Sequence, residues 1–252
     1  MSAAFEGPHI HLPTVGSTMD YARGLAERGA ASGTMVTADE QTAGRGRHGR
    51  RWATPHGTAL ACSAILRPLD LEHNLLPLAV PIAVCEAAEE VAPVRCQVKW
   101  PNDVWLRGRK LAGVLIEARP PQWAVIGIGM NLAIADDEFP DDLRWPATSL
   151  GHGVTTVDLV PALRRALGRW TQAPPAEIRA EFARRDALEG REVSWQGAGS
   201  VPDGSGRAAG IDEHGNLIVD ASEGRVTLGA GEVQLTLSPD FQPTLPENGN
   251  QG

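Results

Sequence analysis

The sequence predicts an α+β fold: a mixed-sheet domain over residues 10–187, a small C-terminal β-barrel over 188–237 and a disordered tail over 238–252. Three observations carry this. As far as residue 187, apolar runs of strand length interleave with longer helical patterns, the signature of a mixed α/β layer. From residue 188 the chain changes to short alternating strands at close spacing. The last residues are rich in Pro, Gly and Asn and too poor in apolar groups to join a core.

The elements follow in order. Residues 1–9 read as a loose leader, and Ser17 or Thr18 suits the N-cap of a helix over 19–28 that Gly29 ends. Residues 34–40 form a short β-rich run, and 58–66 a buried strand closed by Pro68. The apolar pattern over 75–91 is a largely buried helix. Residues 98–101 end a short strand, Asn102-Asp103 begin a turn, and 104–106 with 111–117 flank a polar hairpin tip of Arg107-Gly108-Arg109-Lys110. A strand over 123–132 carries Gly127 and Gly129, and residues 133–156 are loop-like. Helices follow at 157–172 and 174–187, the second with Pro175 in its first turn. Beyond them, strands at 191–195, 207–211, 217–220, 225–228 and 232–237 alternate with turns rich in Gly, Asp and Ser, where glycine supplies positive φ.

Composition narrows the function classes. A net charge of −8 argues against a protein that binds nucleic acid through a broad basic face. The longest apolar stretch, near 75–85, holds two prolines and is too short to cross a bilayer. The first residues lack the basic start and apolar core of a secretion signal. Cys62, Cys85 and Cys96 are odd in number and show no CxxC spacing, which disfavours a disulfide framework or zinc site and points to a reducing cytoplasm. Of 23 basic residues, only Lys99 and Lys110 are lysines. GC-rich codon usage explains the scarcity but not why both survivors share one short segment. Lysine is a compact point charge and arginine a planar fork, so a retained lysine marks a position that can need the point charge.

Three segments carry chemistry. Ala43-Gly44-Arg45-Gly46-Arg47-His48-Gly49-Arg50-Arg51-Trp52 packs four arginines and three glycines into ten residues of an acidic chain. Glycine lets backbone N–H groups approach an anion and arginine adds bidentate donors; an exposed, codon-biased loop has the same composition. The segment lacks the Gly-Lys-Ser/Thr ending of the Walker loop and the glycine register of a dinucleotide fingerprint. In the second, Val98-Lys99-Trp100-Pro101-Asn102-Asp103 ends a buried strand in polar groups at a sheet edge, and a hairpin would let Lys99 and Lys110 converge. Asn102-Asp103 also suits a plain turn. The third, Gly127-Ile128-Gly129-Met130-Asn131, ends an apolar strand with glycines that permit close ligand approach or mark a bulge.

Taken with Gly16-Ser17-Thr18, Glu40-Gln41-Thr42 and Lys110-Leu111-Ala112-Gly113, these segments in this order and spacing make the chain resemble the bacterial biotin protein ligases over about residues 10–237. The resemblance implies the biotin/lipoate ligase fold and a two-step reaction. Biotin and ATP, with Mg²⁺, give biotinyl-5′-adenylate and pyrophosphate; the adenylate then biotinylates one lysine of a biotin carboxyl carrier domain. It implies that Ser17, Thr18, Met19, Gln41, Arg45, Gly46, Arg47, Lys110 and Gly113 bind biotin. By the same resemblance, Arg47, Trp52, Lys99, Asn102, Lys110 and Asn131 bind ATP, with Trp52 stacking on adenine. Arg45, Arg47, Lys110 and Asp103 are the implied catalytic groups, Asp103 aiding proton removal from the acceptor amine; metal ligands are not assigned. The family usually follows Ser-Thr with Asn, where this chain has Met19, so a side-chain contact to biotin would be lost and binding weakened.

The residue types suit that chemistry. Biotin's carboxylate is already ionised, so the obstacle is bringing it to a polyphosphate; two unit charges at 4 Å repel by roughly 4 kcal/mol at an effective dielectric near 20. Cations offset this and stabilise transition-state charge. The alternatives are a lipoate or octanoate ligase or transferase of the same fold, for which no cysteine stands as an acyl carrier, and a DNA-binding repressor. For the latter, about 15 residues before Ser17 are too few for a helix-turn-helix, so no DNA partner is expected. Single-stranded RNA would want more stacking aromatics than Trp52. No membrane partner is expected, homodimerisation is left open, and the net charge implies that a carrier docks through local patches.

Overall fold

The computed structural model describes residues 5–49, 52, 56–141, 143–151, 153–197, 202–230 and 233–237. Seven strands form the first sheet: β1 (His9–Val15), β2 (Met35–Gln41), β3 (Ala59–Leu66), β4 (Cys96–Lys99), β5 (Asp103–Leu106), β6 (Arg109–Arg119) and β7 (Trp123–Asn131). Their order is β1-β2-β3-β7-β6-β5-β4. β1 and β2 run parallel and every other neighbour is antiparallel.

Two sequence expectations change here. Residues 5–8 are not a loose leader: Phe5 is buried in the core, and Arg164 Nη1 donates to the carbonyls of Phe5, Gly7 and Gly33. The segment then continues as β1, an edge strand where Pro13 removes no needed ladder bond. The β5–β6 hairpin is also tighter than expected. Arg107 (φ 53°) and Gly108 (φ 74°) alone make the turn, so Arg109 and Lys110 belong to β6.

Helices cover the two faces unequally. The apolar stripe of α1 (Thr18–Glu27), with Met19, Ala22 and Ala26, packs on Val36, Ile65 and Val125. On the opposite face lie α2 (Leu76–Val91) and α3 (Thr156–Trp170), the latter started by a reciprocal Thr155–Asp158 capping box. α4 (Pro175–Arg185) has proline at N1, as its sequence implies, and Arg185 pairs with Glu89 of α2 at 2.7 Å.

A second sheet follows, of β8 (Glu192–Gly197), β9 (Gly204–Ile211), β10 (Leu217–Ala221), β11 (Gly224–Leu228) and β12 (Val233–Leu237). It is antiparallel in the order β11-β10-β9-β8-β12, and among the described residues no ladder joins β11 to β12. The small β-domain is thus present as a five-stranded sheet rather than a closed ring of pairs. Residues 238–252, expected as a tail, lie outside the described residues. Trp195, Leu217, Val219 and Leu228 share one continuous core with α2 and α3. Where the domains meet, Trp100 Nε1 donates to Gly215 O at 3.0 Å, and Gly215 (φ 81°) sits against Leu75 and Leu78.

Asp186 lies at this junction. Its Oδ1 accepts from Leu188 N at 2.8 Å, while Oδ2 is buried without a hydrogen-bond partner. Burial pushes its carboxyl up to about 6, the Leu188 bond opposes that, and the charge of Glu189 adds to it. Because the folded state holds this proton more tightly than the unfolded one, stability falls as pH rises from about 4 through about 6, and the loss persists above. Asp186→Asn should therefore raise the melting temperature by roughly 2–4 °C at pH 8 and leave it unchanged at pH 3.5. An equal change at both values would show that the carboxylate charge is not the cause.

Candidate active site

The site begins as a row of missing side chains. Lys99, Asp103, Gly113, Gly129, Ala61 and Ala38 are successive register partners across β4, β5, β6, β7, β3 and β2. Opposed residues share a face of the sheet, so this row offers two charges at one end and almost no volume along the rest. The next row carries Leu115, Gly127, Ser63 and Val36. Helix α1 covers that second row: a Cβ on Gly127 would stand 2.4 Å from Met19 Sδ. Over the first row lies Trp52, against Gly129 and Gly113. Between lies a cavity of about 660 Å³, lined by all of the residues singled out in the sequence: Ser17, Thr18, Met19, Gln41, Arg45, Gly46, Arg47, Trp52, Lys99, Asn102, Asp103, Lys110, Gly113 and Asn131.

One end is a compact hydrogen-bonded slot. Gln41 Oε1 accepts from Thr18 N at 2.8 Å and from Thr18 Oγ1 at 3.0 Å. Ser17 occupies the N-cap position of α1, but its hydroxyl makes no capping bond. It is 3% exposed, lines the cavity and has no hydrogen-bond partner, so the capping role expected for it is not used. A ligand that enters the slot meets a hydroxyl already desolvated.

Cations gather at the other end. Lys110 Nζ lies 2.7 Å from Asp103 Oδ1, and both side chains are largely buried. Asn102 Oδ1 accepts from Arg47 Nη1 at 3.1 Å while Asn102 Nδ2 donates to Val114 O at 2.7 Å, so this asparagine pins an arginine as well as shaping a turn. Arg47 Nη2 also donates to Ala230 O of the second domain. Asn131 Nδ2 donates to Thr148 O at 3.0 Å and Lys110 O at 3.5 Å, tying the start of β6 to the 147–148 segment. Lys99 is 4% exposed, with Nζ 4.6 Å from the ring centre of Trp145 and 5.8 Å from that of Trp105. Lys99 and Lys110 thus line one cavity from β4 and β6, with Asp103 of β5 between them.

Arg45 is placed differently. Its Nη2 lies 2.7 Å from Asp20 Oδ1 and 3.1 Å from Glu117 Oε1, in an exposed cluster completed by Arg23. Trp52 rests on the glycine floor: a Cβ on Gly129 would stand 2.2 Å from its indole, and one on Gly113 3.5 Å. Gly44 is demanded by the same strap, since a Cβ there would meet Trp52 O at 2.4 Å. The Trp52 Nε1 is buried and has no hydrogen-bond partner.

The outer wall of the cavity comes from residues that belong to none of the sequence motifs. Ile134, Glu138, Phe139, Leu143, Arg144 and Trp145 line the cavity from the segment that the sequence predicts as loop. The available signal was Phe139 and Trp145 in a polar stretch just after the Gly129-Met130-Asn131 strand end. Ser63, behind Thr18, likewise belongs to no motif.

A mixed sheet with a glycine floor, a polar slot and a cationic end in one cavity is a site for a small ligand that carries negative charge. The family model for the biotin/lipoate A/B protein ligase family matches residues 12–131, and that for the biotin protein ligase C-terminal domain matches residues 190–236. The biotin–[acetyl-CoA-carboxylase] ligase of Mycobacterium tuberculosis is 35% identical over 215 residues, covering 80% of this chain and 78% of that protein. The bifunctional ligase/repressor BirA of Bacillus spizizenii is 32% identical, covering 91% of this chain and 74% of that one. The Aquifex aeolicus biotin protein ligase in complex with biotin and ATP superposes with a TM-score of 0.76 at 30% identity, covering 91% and 99%. The chain belongs to the biotin protein ligase family and is a ligase.

Met19 lies where a side chain on Gly127 would stand, and both residues line the cavity. Gly127→Ala forces the thioether into the cavity and should weaken biotin binding about tenfold, while Met19→Ala in the same chain should restore most of it. Titration calorimetry checks both; equal affinity of wild type and Gly127→Ala would show that Met19 does not border the ligand.

Proposed function

We propose that this chain joins biotin to ATP as biotinyl-5′-adenylate and passes the acyl group to one lysine of a biotin carboxyl carrier domain. The observation that carries this is the continuity of the cavity, which runs from the Ser17–Thr18–Gln41 slot to the Lys110–Asp103 pair. The slot takes the head group, and Met19 contributes an apolar contact where the family usually has Asn. The valeryl chain lies over Gly113 and Gly129, and the carboxylate reaches Lys110.

In the first step a carboxylate oxygen forms a bond to the α-phosphorus and pyrophosphate leaves with the electrons of the broken P–O bond. Lys110 neutralises the approaching anion, and Arg47, held by Asn102, meets the phosphates. The nucleotide half is bounded by Lys99, Trp145 and Asn131; Trp52, which covers the glycine floor here, would have to leave it to stack on adenine. Arg45 belongs to the strap that closes over biotin. In the second step the carrier amine attacks the acyl carbon and AMP leaves, with Asp103 accepting the amine proton. Excluding water protects the mixed anhydride, and the strap and the 134–147 wall do this together.

Magnesium fits as part of the nucleotide substrate. Among the described residues no three His, Cys, Asp or Glu side chains cluster to hold a metal. Asp103 and Glu138 are carboxylates on the cavity wall, enough for an ion carried mainly by phosphates and water. The three cysteines are buried and unpaired, in keeping with a cytoplasmic home, and no helix is long and apolar enough to cross a membrane. Cys62 borders the cavity, but burial pushes its thiol up to about 12, so it supplies no thiolate for a thioester intermediate. This favours the adenylating ligase over an acyl transferase that works through cysteine.

Pyrophosphate release with ATP should require biotin and fail with lipoate; release with lipoate alone would overturn the assignment. Lys110→Arg should keep the charge yet lose about 100-fold in adenylation rate, because Asp103 at 2.7 Å and Gly113 leave no room for a fork. Near-normal exchange of labelled pyrophosphate into ATP would show that any cation serves there.

A further inference from the structure

Ser63 lies on β3, opposite Gly127 and fully buried, and its Oγ stands 2.9 Å from Thr18 Oγ1. The direction of every bond in this cluster follows from one fixed donor. The backbone N–H of Thr18 can only donate, so the Gln41 atom 2.8 Å away is the oxygen. An amide oxygen only accepts, so the Thr18 hydroxyl must donate to it. That proton being spent, Ser63 must donate to Thr18. Thr18 Oγ1 then retains one lone pair. A ligand in the slot meets that acceptor on Thr18, the complement of a ring N–H.

We propose that Ser63 is a positioning residue for the head group. It acts through Thr18, holding the threonine hydroxyl in the rotamer that points its proton at Gln41 and its remaining lone pair at the ligand. The inference rests on the biotin reading, since biotin's cyclic urea has such an N–H.

Steady-state pyrophosphate release tests it. Ser63→Ala should raise KM for biotin roughly three- to tenfold, the loss of one buried hydrogen bond, with kcat and KM for ATP unchanged. In a Thr18→Val background, which removes the hydroxyl Ser63 acts through, Ser63→Ala should add no further increase. Should Ser63→Ala fail to fold, Ser63→Cys, a weak donor of similar size, should show a smaller rise of the same kind. An unchanged KM for biotin, a loss that adds to that of Thr18→Val, or a parallel change for ATP would overturn the role. A wild-type chain that releases no pyrophosphate with biotin would instead overturn the reaction on which the role depends.

Discussion

The site depends on one constraint: a stretch of sheet face that carries no side-chain volume. A sheet must cover both faces to exclude water from its backbone, and helix α1 covers only half of this one. The rest of the face is Ala38, Ala61, Gly129 and Gly113, so whatever lies on it approaches the backbone closely. The Trp52 indole takes that place. Its ring gains apolar contact while its N–H is left buried and unbonded, a cost of about 1–3 kcal/mol. The floor is therefore occupied but not satisfied, and the Ser17 hydroxyl at the other end is in the same condition. Groups that have already lost water reward a ligand that bonds them, because the desolvation precedes binding.

Charge is placed with similar economy. Lysine at 110 is largely buried, and Asp103 at 2.7 Å gives its ammonium an opposite charge inside the cavity. Removing either partner would strand the other inside the cavity, so the fold favours keeping the pair. The Arg45 cluster is the opposite case. Asp20 and Arg45 are exposed, Arg23 and Glu117 half-buried, and the four sum to zero charge and contribute little to stability. Such bonds break readily, so they leave the Arg45 side chain free to exchange partners.

How much of this was legible depended on whether function or packing selected the residue. The Gly-Arg strap, Lys99 to Asp103, Lys110 to Gly113 and Gly129 to Asn131 are readable because each places rare residue types at one spacing, and the fold brings them to one cavity. Helix bounds were read to within a few residues because their apolar period is regular. β1 was not read, since His9, His11 and Pro13 give an edge strand no apolar alternation of the usual kind. The 134–147 wall has no period at all; Phe139 and Trp145 acquire meaning only when folded against Lys99 and Lys110. Ser63 looks like one polar residue in an apolar strand, and its bond to Thr18 spans 45 positions of chain. Side-chain direction of that sort is a tertiary property, and no local pattern encodes it.

The second domain is bound into the same arrangement. Trp100 and Asn102 flank one proline of a single turn: the indole donates to Gly215 O, and Asn102 holds Arg47, which itself reaches Ala230 O. Gly215 and Ala230 both belong to the small sheet's connections, and that sheet's inner residues are continuous with the core behind the site. Two hydrogen bonds, one from Trp100 and one from Arg47, reach the small domain at separate connections and restrict rotation about either bond alone. Moving the small domain would withdraw the acceptor of a buried Trp100 N–H and a partner of Arg47 together. The position of Arg47 is therefore set by both domains, and the small domain belongs to the construction of the site through the Ala230 and Gly215 carbonyls.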